Sequence, residues 1–185
     1  PLNERKTEDL VEARLRQRGY YASDSGIVVE KQRSDTPRIN KLLENASKHG
    51  GGAGKPEFLI HSASKPHFLV VIECKANATR HASATLDRYA EYAVDGALLY
   101  ASFLSKEFDV LAIGVSGQSN STYRISHYFH PRGEQKAVEY TGARDVASLD
   151  EYYEAFIHSE AKFRQDYDAL LDFSRELNNI LHAKK

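Results

Sequence analysis

Phe68-Leu69-Val70-Val71-Ile72-Glu73-Cys74-Lys75 is the stretch from which the fold can be read. Its apolar residues follow one another without alternation, and several are β-branched, which describes a strand covered on both faces and therefore central in a sheet. Successive side chains of a strand point to opposite sides, so Glu73 and Lys75 project together while Cys74 points away. Two ionisable groups thus share one face at the end of an apolar strand. A charge buried there without a partner costs several kcal/mol, so the pair requires each other, a third charge, a metal or water. Upstream, Phe58-Leu59-Ile60 is joined to this strand by His61 to His67, a short polar connection containing Pro66 that suits an antiparallel hairpin. Antiparallel pairing sets the start of the first strand beside the end of the second, which brings Glu57 close to Glu73.

Outward from this hairpin the chain alternates helical and extended signals. Glu4 to Arg18 is expected to form a helix closed by Gly19, with Val11 and Leu15 on one stripe and Glu8 and Glu12 in the same sector. Ile27-Val28-Val29 suits a short strand. A second helix opens at Asp35-Thr36-Pro37 and ends before the glycine-rich loop Gly50-Gly51-Gly52-Ala53-Gly54. Beyond the hairpin, Leu86 to Leu104 carries apolar residues at helical spacing, interrupted by Gly96 at a cost of about 1 kcal/mol. Asp109 to Val115 and Thr122 to Phe129 are expected strands, and Leu149 to His182 one or two long helices. The resulting order α-β-α-ββ-α-ββ-α predicts an α/β fold, with no internal repeat or low-complexity segment.

Composition narrows the function classes. The 185 residues, 41% of them apolar, suit one ordinary globular domain and exclude a disordered or fibrous chain. Cys74 is the only cysteine, which rules out an intrachain disulfide and a cysteine-built zinc site, and its thiol is expected to be buried and inert. No apolar run is long enough to cross a bilayer and the first residues lack the core of a signal peptide, so a soluble, cytoplasmic protein is expected. Lys plus Arg number 25 against 26 Asp plus Glu, a net charge of −1 that argues mildly against a strongly basic DNA binder. Carboxylates reserved for a divalent cation would produce the same balance.

Glu57, Glu73 and Lys75 suit metal-assisted phosphodiester cleavage. Carboxylates offer hard oxygen ligands to Mg²⁺, with Mn²⁺ as a substitute, and a lysine can orient or deprotonate the attacking water. The Cys74 backbone carbonyl offers a further oxygen, and Glu8 or Glu12 could complete the shell. Pro56-Glu57, a hairpin and Glu73-Cys74-Lys75 together resemble the signature of the PD-(D/E)XK nucleases. The resemblance implies a mixed central sheet flanked by helices, metal binding by Glu57 and Glu73, and a catalytic Lys75. It also favours Glu8, within Thr7-Glu8-Asp9-Leu10-Val11, over Glu12. Glu57 departs from the commoner Asp by one methylene.

Lys55-Pro56-Glu57-Phe58, Ile72 to Ala76, Glu91 to Leu98 and Ala112 to Gly117 are further similar to the N-terminal nuclease domain of fused restriction-modification polypeptides. That likeness implies cleavage of double-stranded DNA and methyltransferase and target-recognition domains elsewhere in the same polypeptide; because many nucleases need two copies to cut two strands, dimerisation on DNA is a further expectation. Residues 1–148 would form the nuclease core, and residues 149–185 a helical extension that packs on it or leads to an absent domain. A freestanding repair or junction-resolving nuclease and a non-catalytic module of the same fold are the competing classes.

Other features invite sharper readings than they support. The glycine loop fails the P-loop spacing, because His49 stands at its first position and Pro56 follows Lys55. His127 and His130 lie on a strand without further ligands and are expected to be ordinary histidines. Asn77, Arg80 and His81, on the loop leaving the catalytic strand, are candidates for contacts with DNA phosphates. Lys31, Arg33, Arg38 and Lys41 are equally well explained as solvated charge. Tyr89 and Tyr92 are expected to pack in the third helix.

Overall fold

The computed structural model describes residues 1–184. Its elements are α1 (Glu4–Gln17), β1 (Ile27–Glu30), α2 (Pro37–Leu43), β2 (Phe58–Ser62), β3 (Lys65–Lys75), α3 (Ala93–Leu104), β4 (Asp109–Ser116), β5 (Arg124–His130), β6 (Val138–Tyr140), α4 (Leu149–Ile157) and α5 (Glu160–Ala183). The six strands form one mixed sheet in the order β1-β2-β3-β4-β5-β6, giving the α/β fold expected. Among the described residues only β3 and β4 run parallel, and α3 makes the crossover that parallel neighbours require.

β3 is central. Phe68 to Cys74 are all buried, because alternate side chains enter two different cores. Val70, Ile72 and Cys74 join Val11 and Leu15 of α1 and Tyr152 and Phe156 of α4 on one face. Leu69 and Val71 join Ile39 and Leu43 of α2 and Ala97, Tyr100 and Leu104 of α3 on the other. Glu73 has the parity of the second face, so a carboxylate ends that core's strand under α3.

The hairpin is tighter than the sequence suggested. β2 and β3 meet at a turn of Ala63 and Ser64, and β3 begins at Lys65. Phe58 pairs with Ile72, so the next position of the register sets Glu57 across from Glu73.

The helix expected from Leu86 begins only at Ala93. Leu86 has φ +60°, and the buried Asp95 carboxylate folds the preceding loop by accepting from the Ser83 and Arg88 backbone N–H groups at 3.0 and 2.9 Å. Tyr89 and Tyr92 consequently lie in that loop and at the helix N-cap, not in its packed face. Arg80 and Arg88 each stack on the Tyr92 ring, at 5.3 and 5.0 Å from its centroid. β6 was not anticipated, since three residues leave too little alternation to detect.

The C-terminal segment divides. α4 contributes Leu149, Tyr152 and Phe156 to the core, whereas in α5 only Ala161 is buried. Among the described residues no helix is long and apolar enough to cross a membrane.

Gly114 fixes how closely α3 approaches the sheet. A Cβ there would stand 2.7 Å from both the backbone nitrogen and the Cα of Val94, atoms that cannot turn aside. Gly114→Ala is expected to lower stability by about 1–3 kcal/mol through this overpacking. The midpoint of urea unfolding measures it, and an unchanged midpoint would show that α3 can lift at no cost.

Candidate active site

The site is assembled at the end of β3. Glu73 is fully buried, and its side chain runs against the first turn of α3, where a Cβ on Gly96 would come within 3.0 Å of Glu73 Cγ. Gly96, which interrupts the helical pattern in the sequence, therefore leaves room for the carboxylate. Glu57 enters from the start of β2, partly buried, and the buried Tyr100 of α3 lies near enough for the charges of both acids to bear on it. Burial raises the Tyr100 hydroxyl above the ordinary tyrosine range, reinforced by the Glu73 and Glu57 charges.

Two carboxylates this close in a dry pocket cannot both ionise freely. Desolvation, followed by hydrogen bonding with Glu73 and repulsion from its charge, pushes the Glu57 carboxyl far above the usual carboxylate range. This shift favours the protonated form of Glu57 at neutral pH in the metal-free protein. Glu57 Oε2 and Glu73 Oε1 are both shielded from solvent, and no donor from any other residue reaches them. Buried carboxyl oxygens served by no other donor are rare in folded proteins, and two of them on facing residues fit a hard cation once Glu57 gives up its proton.

A cation of the chain already stands on the other oxygen. Lys48 Nζ donates to Glu73 Oε2 in a short ion pair, with the lysine side chain 15% exposed. Burial works against the Lys48 ammonium, but Glu73, Glu57 and Glu4 together hold it above the ordinary lysine range. Lys48 lies on the loop between α2 and β2, whose bend is closed by the Ser47 N–H donating to the Gly52 carbonyl at 3.1 Å. The glycine-rich segment is thus a folded loop that delivers a lysine to the acids. Sequence reasoning missed Lys48, because a loop residue has no periodicity and its partner is 25 positions away.

Lys75 shares the face of Glu73, as alternation requires, and its Nζ donates to Glu4 Oε1 at 3.3 Å near the surface. Thr7 anchors α1 at this point, its hydroxyl donating to the Gly117 carbonyl at 2.8 Å. The crossing point at Thr7 puts Glu4, one turn before Glu8, beside Lys75. Glu8 instead pairs with Lys31 at 2.9 Å, although its charge still bears on Glu57. Glu12 is engaged by Arg16. The Cys74 side chain faces the opposite core, with its thiol pushed up by burial. Among the described residues no three His, Cys, Asp or Glu side chains are gathered as a ready metal cluster. The acids that meet are two, and further ligands would have to be backbone or water.

The candidate DNA-contacting residues separate. Arg80 is exposed at the rim, where it pairs with Glu91 at 3.5 Å, and Asn77 turns its side-chain oxygen to the Thr79 backbone N–H at 2.9 Å. His81 is 4% exposed, with its ring nitrogens 2.8 and 2.7 Å from the Ser116 and Ser126 hydroxyls. It ties the loop to β4 and β5 and presents no free edge to a phosphate. Arg88 and Arg124, which the sequence did not single out, flank Arg80, Arg124 donating to the Ala78 carbonyl. Lys31 and Arg38 are occupied by Glu8 and Glu107. His127 and His130 are core residues, the first contacting the Tyr152 hydroxyl at 2.7 Å and lowered by burial to about 4. Comparison of the chain with family models, with curated proteins and with solved structures finds no match.

Proposed function

We propose that this chain is a Mg²⁺-dependent endonuclease domain of PD-(D/E)XK type that hydrolyses phosphodiester bonds of double-stranded DNA. The observation that carries the reading is the pair of unpartnered oxygens on Glu57 and Glu73, with Lys75 on the same strand face. Glu57 and Glu73 would hold the ion, the Cys74 carbonyl lying between the Glu73 and Lys75 side chains in the chain. When bound, Mg²⁺ supplies charge neutralisation at the scissile phosphate and acidifies the attacking water. Lys75 would leave its half-exposed partner Glu4 to orient that water or, having first given up its own proton to solvent, to take one from it. Arg80 and Arg88, which share Glu91 as ion-pair partner, and Arg124 would turn from their present partners to meet a phosphate backbone along this rim. The mixed sheet flanked by helices suits this fold family, and the wider sequence likeness supports reading the chain as the cleavage module of a restriction-modification polypeptide.

Cleavage of plasmid DNA by the purified chain at low salt with Mn²⁺ is expected to fall by roughly 10²–10⁴ in Lys75→Ala, with the fold intact by circular dichroism. Wild-type rates in this variant would overturn the mechanism. Calorimetric titration with Mn²⁺ provides a second readout. Because Glu57 holds a proton at neutral pH, binding should release about one proton per ion, seen as heats that vary with the buffer's ionisation enthalpy. A non-catalytic module draws support from Lys48, which already compensates Glu73. Absence of Mn²⁺ binding, even with DNA present, would favour that reading.

A further inference from the structure

We infer that α5 is a self-complementary dimerisation helix, pairing antiparallel with α5 of a second copy of this chain. The helix spans 24 residues, about 36 Å, and meets its own domain only near its start. Ala161 is buried there, and Gln165 Nε2 donates to the Arg132 carbonyl at 2.9 Å. The apolar stripe lies half a turn away from Ala161 and Gln165, on the side facing away from the domain. It includes Phe163, 71% exposed, and Leu170 and Leu181, each 61% exposed. The domain cannot cover this face without detaching the helix.

The stripe has the spacing of a two-helix seam. Phe163, Tyr167, Leu170, Ser174, Leu177 and Leu181 alternate steps of four and three, the spacing of heptad a and d positions. Laid antiparallel on itself, the helix matches Phe163 to Leu181, Tyr167 to Leu177 and Leu170 to Ser174. Each pair is equidistant from Asp172, so one two-fold axis satisfies every layer, as an isologous contact demands. Leu171 and Phe173 then flank the axis beside their own copies.

Charge selects the same orientation. Residues 160–172 carry Glu160, Asp166, Asp168 and Asp172 against Lys162 and Arg164, while residues 173–184 carry Arg175 and Lys184 against Glu176. Antiparallel pairing sets the acidic half against the basic half, whereas parallel pairing would set like on like. The apolar side chains of α5, 37–71% exposed, offer on the order of 800 Å² per chain, the share one partner brings to a standard interface. An occupant of this size and symmetry is a second copy. The pairing holds two candidate sites in one particle, one for each strand of a duplex.

Sedimentation of the full chain at micromolar concentration should give the mass of two chains, falling to one in Leu170→Asp/Leu177→Asp. Both positions are exposed, so the variant should keep its circular dichroism and Mn²⁺ binding. Orientation is read by mild oxidation of a mixture of Phe163→Cys and Leu181→Cys chains, since Cys74 is buried. Disulfide-linked heterodimers are expected. Cross-linking of each variant to itself would overturn the antiparallel register, and a monomeric wild type would overturn the proposal and assign the stripe to another segment or domain. Neither result bears on Mn²⁺ binding, which tests the nuclease reading alone.

Discussion

Glu57→Gln is expected to stabilise the metal-free protein while removing Mn²⁺ binding and DNA cleavage. In the folded chain Glu57 is held protonated, first by burial and then by Glu73, whereas in the unfolded chain it ionises in the ordinary carboxylate range. The native state therefore binds a proton that the unfolded state releases. This contribution is fully present below the unfolded pKa and is lost progressively as pH rises towards the raised folded value. Gln cannot ionise, keeps the shape, and brings an N–H₂ group that can donate to Glu73 permanently. At mildly alkaline pH a gain of about 1–3 kcal/mol is expected, because folding of the wild type must take up a proton that the amide does not need. For a chain of this size that is a rise of roughly 3–10 °C in melting temperature. The two proteins should converge as pH falls to the ordinary carboxylate range, where wild-type Glu57 is protonated in both states. Melting curves between mildly acidic and mildly alkaline pH measure this difference. A variant less stable than wild type at alkaline pH would mean that Glu57 is solvated and that the acids do not form a dry pair. Because an amide is a neutral ligand, the same substitution should abolish the Mn²⁺ heat and reduce cleavage by at least about 10³, several kcal/mol of lost electrostatic stabilisation.

The pair of acids was legible in the sequence because each step rested on a rule of backbone geometry. Uninterrupted apolar residues gave β3 two buried faces, alternation put Glu73 and Lys75 together, and antiparallel register brought Glu57 across. Gly96 had a cost visible in the sequence, but its use, space for Glu73, depends on how closely α3 sits on the sheet. The start of α3 was misread because Leu86 and Tyr89 repeat at helical spacing. What overrides that periodicity is Asp95, whose backbone partners at Ser83 and Arg88 no pattern announces. Lys48 and Glu4 were not legible for a similar reason. They reach the site through a loop and through the crossing point of α1 on Lys75, both set by tertiary packing. His81 shows the reverse error: adjacency to Lys75 along the chain suggested a surface role, while burial between two serines makes it structural.

Lys48→Met should have the largest effect on the metal-free fold. The substitution preserves length and apolar volume but removes the cation from Glu73, whose side chain is fully buried. Deleting one partner of a buried ion pair typically costs about 3–5 kcal/mol, because the remaining charge is left without compensation. Here the cost falls on Glu73, for which the Glu57 carboxyl is the remaining neighbour, since no other donor reaches Glu73 Oε1. Mn²⁺ should restore more stability to Lys48→Met than it adds to wild type, as the ion no longer competes with an internal ammonium. The metal concentration for half-maximal cleavage should fall correspondingly. In the double variant Lys48→Met/Glu73→Gln most of the loss should disappear, because neither partner then carries an uncompensated charge. Thermal melting with and without Mn²⁺ across the four proteins of this cycle measures the coupling between Lys48 and Glu73. A loss below about 1 kcal/mol in Lys48→Met would place the lysine among ordinary surface ion pairs and remove it from the site. A large loss rescued by Mn²⁺ would identify Lys48 as the chain's own substitute for the ion, keeping two buried acids compatible with folding until a divalent cation takes its place.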